Sequence, residues 1–178
     1  NINITATITT GSGNKFDIKT VYTITTQTFL FTRNDNAEVV EKMYAAGKCA
    51  SPYGMTQAEC EAVTSLLNSS GNSIFFRDSN LKTFNELQYF TKLTSLPYCC
   101  FAACTSLTSI TIPNSVTSLG EYCFQNCTSL TSITIPNSVT SLGNSCFASC
   151  TSLTSITIPN SVTTLGGSCF YGCTSLTS

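Results

Sequence analysis

The stretch CTSLTSITIPNSVTSLGEYCFQN, Cys104–Asn126, decides the architecture, because it returns with few changes as Cys127–Ser149 and Cys150–Gly172. A fourth copy starts at Cys173 and runs to Ser178. The period is 23 residues throughout. Within it, apolar residues form columns: Leu107/Leu130/Leu153/Leu176, Ile110/Ile133/Ile156, Ile112/Ile135/Ile158, Val116/Val139/Val162, Leu119/Leu142/Leu165 and Phe101/Phe124/Phe147/Phe170. One coil cannot bury such a ring of side chains alone. Stacked coils bury each column against itself and build a continuous one-dimensional core. Ile110, Thr111 and Ile112 read as a short strand, one per coil, paired in parallel with its neighbours, and Pro113 ends it because proline cannot donate to a sheet ladder.

The pattern CxxLxxIxIPxxVxxLxxxCFxx resembles the repeat of BspA-like, treponemal-type leucine-rich-repeat proteins, with cysteine at Cys100, Cys123, Cys146 and Cys169 where alanine is usual. The resemblance covers about 81–178. It implies a repeat solenoid that binds other macromolecules, often on the surface of bacteria or mucosal protists. Shifting the repeat back by one period sets Leu81 on Cys104, Phe84 on Leu107, Leu87 on Ile110 and Tyr89 on Ile112. It also sets Leu93, Leu96, Cys100 and Phe101 on Val116, Leu119, Cys123 and Phe124. Residues 74–103 are therefore expected to be a diverged capping coil, with Ile74-Phe75-Phe76 as a preceding strand, and 104–178 the array proper. A helical segment followed by FNELQYFTKLTSL is similar to the start of many such arrays.

Ahead of the array, a small α+β module is expected. Residues 1–32 form an attachment segment: Ile2, Ile4, Ala6 and Ile8 alternate with polar residues, Gly11–Asn14 supplies a turn, and Phe16, Ile18, Thr20, Tyr22 and Ile24 alternate again. That pattern predicts a β-hairpin over 1–26, serving as a cap or as a strand added to a neighbouring chain's sheet. Phe29–Phe31 continues as a strand or docks on the helical module, 33–73. There, Asp35 or Asn36 caps a helix over 35–48 with Val39, Val40, Met43 and Tyr44 on its apolar side and Gly47 at its end. Thr56-Gln-Ala-Glu59 is a capping box that starts a second helix running to about Leu67.

Composition narrows function. Net charge is −1, and from Cys104 onward Glu121 is the only charged residue, which predicts no nucleic-acid partner and little electrostatic steering. Histidine is absent, removing the commonest general base and metal ligand. No catalytic residue, metal site or cofactor is implied. No apolar run approaches the roughly 20 residues of a membrane helix. The chain begins at Asn1 with neither methionine nor a signal-peptide pattern, which fits a processed precursor or an excised fragment. The apolar columns end unopposed at Ser178, which calls for further repeats, self-association or a partner chain over that coil.

Of eleven cysteines, eight fall in two columns, Cys100/Cys123/Cys146/Cys169 and Cys104/Cys127/Cys150/Cys173. Identical residues pointing the same way in each coil do not face as disulfide partners do, and the Cys-Phe-x-x-Cys spacing lacks a zinc knuckle. They read as buried thiols that bond weakly to turn backbone. Cys49 and Cys60 lie outside the register, either joined in a disulfide or serving as small core residues.

Two surfaces stand out as candidates. Ser109, Ser132 and Ser155 with Thr111, Thr134 and Thr157 alternate with buried isoleucines and make two hydroxyl columns on the strand face. Differences between copies cluster at the Cys-Phe turn, where Tyr122 and Tyr171 are candidate contacts because aromatics anchor interfaces. Taken with what the resemblance implies, the chain is expected to be a non-enzymatic cell-surface or secreted protein that binds a protein or glycan ligand on its repeat face. The alternative is a structural subunit of a virion or surface appendage, held by its N-terminal β segment.

Overall fold

A computed structural model describes residues 28–177; the hairpin expected over 1–26 lies outside them. Strand β1 (Phe31–Thr32) pairs antiparallel with β2 (Gly54–Met55). Between them runs helix α1 (Arg33–Ala45), and α2 (Gln57–Ala62) follows β2. Thr32 caps α1, forming a reciprocal capping box with Asp35. At Asn36 the backbone leaves helical geometry (φ −156°), and the Asn36 amide oxygen accepts from Val39 N, so it caps the longer second part. Gly47, at φ 67°, turns the chain away in the left-handed region that glycine enters without penalty. Val39, Val40 and Met43 are buried as expected, but Tyr44 is exposed. Helix α2 begins at the expected Thr56/Glu59 box yet ends at Ala62 rather than near Leu67, because Val63 is extended.

The solenoid carries two strands per coil, not the one expected. The first ladder comprises β3 (Thr83–Phe84) paired with β5 (Ser109–Ile110), and β7 (Ser132–Thr134) paired with β9 (Ser155–Thr157). The second is a four-stranded parallel sheet of β4 (Ser95–Leu96), β6 (Ser118–Leu119), β8 (Ser141–Leu142) and β10 (Thr164–Leu165). The first strand ends sooner than the Ile110–Ile112 run expected from the sequence: β5 stops at Ile110, with Thr111 and Ile112 between it and Pro113, and the Pro113 carbonyl then accepts from Val116 N at 3.1 Å. The chain turns and resumes an extended path, where Thr117 N reaches Thr94 O at 2.9 Å.

The capping coil is longer than a uniform shift of the repeat predicts. β4 and β6 pair with the expected separation, Ser95 on Ser118. β3 and β5 pair as Thr83 on Ser109 and Phe84 on Ile110, three residues out of that register. The 3₁₀ helix Asn85–Tyr89 holds the excess. Phe84, not Leu87, thus takes the place of Ile110, and the assignments of Leu81, Phe84, Leu87 and Tyr89 are corrected, whereas Leu96 lies opposite Leu119. Phe75 belongs to no strand. It is the first rung of the phenylalanine stack, with its ring 5.5 Å from that of Phe101. Later rungs follow at 5.4, 5.3 and 5.6 Å, and interplanar angles fall from 25° at the first step to 2° and 3° at the last two.

Core burial depends on stacking. Leu119 and Leu142 are each 1% exposed, whereas Leu165, with the same neighbours on one side only, is 56% exposed. Where the module meets the capping coil, Asp78 is buried and its Oδ1 accepts from Asn80 N and Leu81 N. Its Oδ2 has no well-directed hydrogen bond, but Lys42 Nζ, which also faces Glu38, lies 3.4 Å away. Asn36 Nδ2 donates to Thr83 O at 2.8 Å across the same junction.

Two outcomes follow. Phe124→Ala should lower stability by about 3–5 kcal/mol, since the ring is fully buried between two others; a urea unfolding midpoint close to that of the parent chain would contradict the stack as a source of stability. At Glu59, burial works against the charge, but hydrogen bonds from Thr56 N, Ala50 N and Thr56 Oγ1 outweigh it and hold the carboxyl below its ordinary 4.5. With a depressed folded pKa, the contribution is present above the unfolded value and is lost as pH falls through the folded one. Glu59→Gln should therefore cost about 1 kcal/mol at neutral pH and remove part of the acid-side loss of stability, as read from unfolding midpoints across that range.

Candidate binding surfaces on the repeat coils

Serine and threonine are abundant in every coil, and their hydroxyls divide into two groups. At the bends they are consumed between coils. Ser115, Ser138 and Ser161 donate to Leu93 O, Val116 O and Val139 O at 2.7, 2.6 and 2.8 Å. Thr117, Thr140 and Thr163 donate to Thr94 O, Thr117 O and Thr140 O at 3.1–3.3 Å. Each such bond contributes about 1 kcal/mol, and the threonine hydroxyls join carbonyls that already accept a backbone N–H from the same coil, Thr117 N on Thr94 O and Thr140 N on Thr117 O.

The strand-face hydroxyls behave differently. Ser109 Oγ and Thr111 Oγ1 both donate to Asn85 Oδ1, at 2.9 and 3.2 Å, so the capping coil engages the first pair. Ser132, Thr134, Ser155 and Thr157 border a groove of about 390 Å³ whose other walls include Ile133, Ile156 and Pro159. Among the described residues their hydroxyls contact no internal partner, and all four residues are exposed. These hydroxyls donate and accept without carrying charge.

The second candidate region divides. Tyr122 meets Tyr98 edge-to-face, with centroids 5.6 Å apart, and lines a cleft of about 300 Å³ with Phe76, Arg77, Gln125 and Asn126. Tyr171 is 75% exposed and lies two coils further on, outside that cleft. Phe76, Arg77 and Tyr98 were not identified from the sequence as site residues. The available signal was their departure from the repeat: Tyr98 stands where the next copies have Glu121, Asn144 and Gly167.

The thiols are structural here. Cys104, Cys127, Cys150 and Cys173 donate to Phe75 O, Phe101 O, Phe124 O and Phe147 O at 3.0–3.2 Å. Burial pushes the Cys104 and Cys150 thiols up to about 12 and Cys127 well above its ordinary value. Cys49 and Cys60 are both buried and free, not joined. The Cys49 thiol is directed to Ser51 O at 3.4 Å instead, and burial pushes Cys60 to about 12. Among the described residues, no group of three or more histidine, cysteine or acidic side chains could hold a metal ion, and no helix is long and apolar enough to cross a membrane. Reaction requires access as well as a thiolate, so a thiol reagent should modify the half-buried Cys99 and Cys173 first, with the other thiols, all buried, reacting only on unfolding. Rapid native modification of Cys127, mapped by peptide mass, would contradict its burial.

No curated protein matches the chain. A leucine-rich repeat protein from Bacteroides ovatus is 34% identical over 52% of this chain and 26% of its own, with TM-score 0.45. The leucine rich repeat protein of T. pallidum is 30% identical over 53% of this chain and 48% of its own, with TM-score 0.43. A leucine rich cell surface protein of Faecalibacterium prausnitzii is 32% identical over 53% of this chain and 27% of its own, with TM-score 0.44. The chain thus spans between about a quarter and a half of the length of these solved structures. The profile of the BspA type leucine rich repeat region matches in six copies across residues 68–178, more than half of the sequence, and the chain belongs to that family.

Proposed function

We propose that this chain is a non-catalytic binding scaffold of a cell surface or secreted protein, and that its strand-face groove takes up a segment of a protein ligand. The observation that carries this reading is the division among the hydroxyls. A sequence selected only to stack coils needs the bend hydroxyls, which cross-link each coil to the next. It has no such use for Ser132, Thr134, Ser155 and Thr157. Their rows offer an extended peptide hydroxyl contacts at a fixed spacing, over the buried Ile133 and the half-buried Ile156. Neutral hydroxyls are also cheap to desolvate compared with charged groups. Family membership supports a binding role.

The groove sits in a region whose only charge is Glu121, so binding should change little with salt. The test uses a panel of secreted and cell-surface proteins as immobilised ligands. Placing charges on the rows with Ser132→Lys and Thr157→Lys together should weaken binding roughly tenfold or more, since each lysine would be desolvated without a partner. The unfolding midpoint should stay near that of the parent chain. A ligand held with undiminished affinity by the double variant would overturn the assignment of the groove.

A further inference from the structure

The cleft at the Cys-Phe turns has features that core packing does not require. Tyr122 occupies the left-handed region, φ 57°, which is unfavourable for a bulky side chain. The equivalent residues of the next two coils are Ser145 and Ser168, at φ 52° and 56°. An aromatic has been placed where the repeat itself uses serine. Nor are the aromatics there to fill the interior: Tyr98 is 64% exposed and Phe76 44%. The Arg77 guanidinium lies 5.1 Å from the Phe76 ring centroid and forms no ion pair among the described residues.

We propose that this cleft is a saccharide site that receives one pyranose ring of a glycan. The tyrosine rings give an apolar surface for the C–H face of a sugar, and aromatic side chains combine such a face with a polar tip. Gln125, Asn126 and Arg77 bring planar donors, and the amides also acceptors, for the ring's hydroxyls. The volume of about 300 Å³ stands at the lower bound of the roughly 300–1,000 Å³ range for small-ligand sites, which suits one ring rather than a folded surface. Other classes fit less well. Arg77 is the only cation lining the cleft, too few to track a phosphate backbone. A proline-rich peptide requires an aromatic-lined groove along several residues, whereas here the aromatic wall gives way to amides within one coil. The site lies at different residues from the strand-face groove, so the two proposals stand or fall separately.

The chain contains no tryptophan and seven tyrosines, so its intrinsic fluorescence reports on tyrosines alone. The full chain is titrated with the methyl glycosides of a neutral hexose, an N-acetylhexosamine and a hexuronic acid. The expected result is a saturable change with at least one of them, weakened about tenfold by Tyr122→Ser and by Tyr98→Ala, the scale of one aromatic contact. Tyr122→Ser carries the residue that the next two coils hold at the same position, so folding is preserved. The bound glycoside should also protect Cys99, which lines the cleft, from alkylation. The strand-groove variant Ser132→Lys/Thr157→Lys should bind the same glycoside unchanged. No saturable response to any of the three, a response indifferent to both tyrosine substitutions, or displacement of the glycoside by a proline-rich peptide would overturn the proposal.

Discussion

The close approach of successive coils is the constraint from which most of this molecule follows. At Gly143 an added Cβ would lie 2.4 Å from Glu121 N, and at Gly166 one would lie 2.3 Å from Asn144 N. Only glycine lets the backbones meet at that distance. Once the spacing is set, every side chain must stack on its own counterpart. Phenylalanine rings, thiols and hydroxyls all tolerate this, and the last two also donate to the carbonyl of the coil before. Charged residues do not: a copied charge would face itself across the ladder, and like charges directly opposite repel. The Glu121 column shows the alternative. Asn144 Nδ2 donates to Glu121 Oε1 at 2.9 Å, and Gly167 N donates to Asn144 Oδ1 at 2.8 Å, so the charge is capped by amides. The near absence of charge from Cys104 onward is thus a consequence of stacking as much as a property of the surface.

The capping coil relaxes this constraint because only one of its faces must match a repeat. It holds three extra residues in a 3₁₀ helix, and its polar side chains take up tasks that the regular coils lack. Asn85 engages the first two strand-face hydroxyls, Asp78 organises the start of the coil, and Asn36 and Lys42 of α1 attach the helical module. A solenoid end must present a finished surface on one side and a repeat on the other. The progressive alignment of the phenylalanine rings, from 25° to 2°, records the transition between the two.

Both proposed binding surfaces lie where stacking leaves freedom. The bend hydroxyls and the thiols of the Cys104 column are occupied by coil-to-coil bonds, while the strand-face hydroxyls of Ser132, Thr134, Ser155 and Thr157 and the exposed rings at the Cys-Phe turns are not needed to join one coil to the next. On the strand face the freedom is periodic, which suits an extended ligand. At the turns it is local, limited to the junction where Tyr98 and Tyr122 meet Phe76 and Arg77. A repeat scaffold can in this way present two chemically different surfaces without altering its core.

The 23-residue period, the buried columns, the outward Ser/Thr rows and the Thr56/Glu59 capping box were legible in the sequence, because each depends on local spacing or on exact repetition. Three matters were decided only by tertiary structure. The second strand in each coil arises from pairing across coils, which Ser118 and Leu119 cannot show from their own neighbours. The register of Phe84 against Ile110 depends on three extra residues held in a 3₁₀ helix between two ladders, and a uniform shift of the repeat hides them. Which hydroxyls are free also depends on the preceding coil: Thr117 and Thr134 are the same residue, and only the position of a carbonyl one coil away makes one structural and leaves the other available. Periodicity shows where a side chain points, but what it meets there is set by the stack.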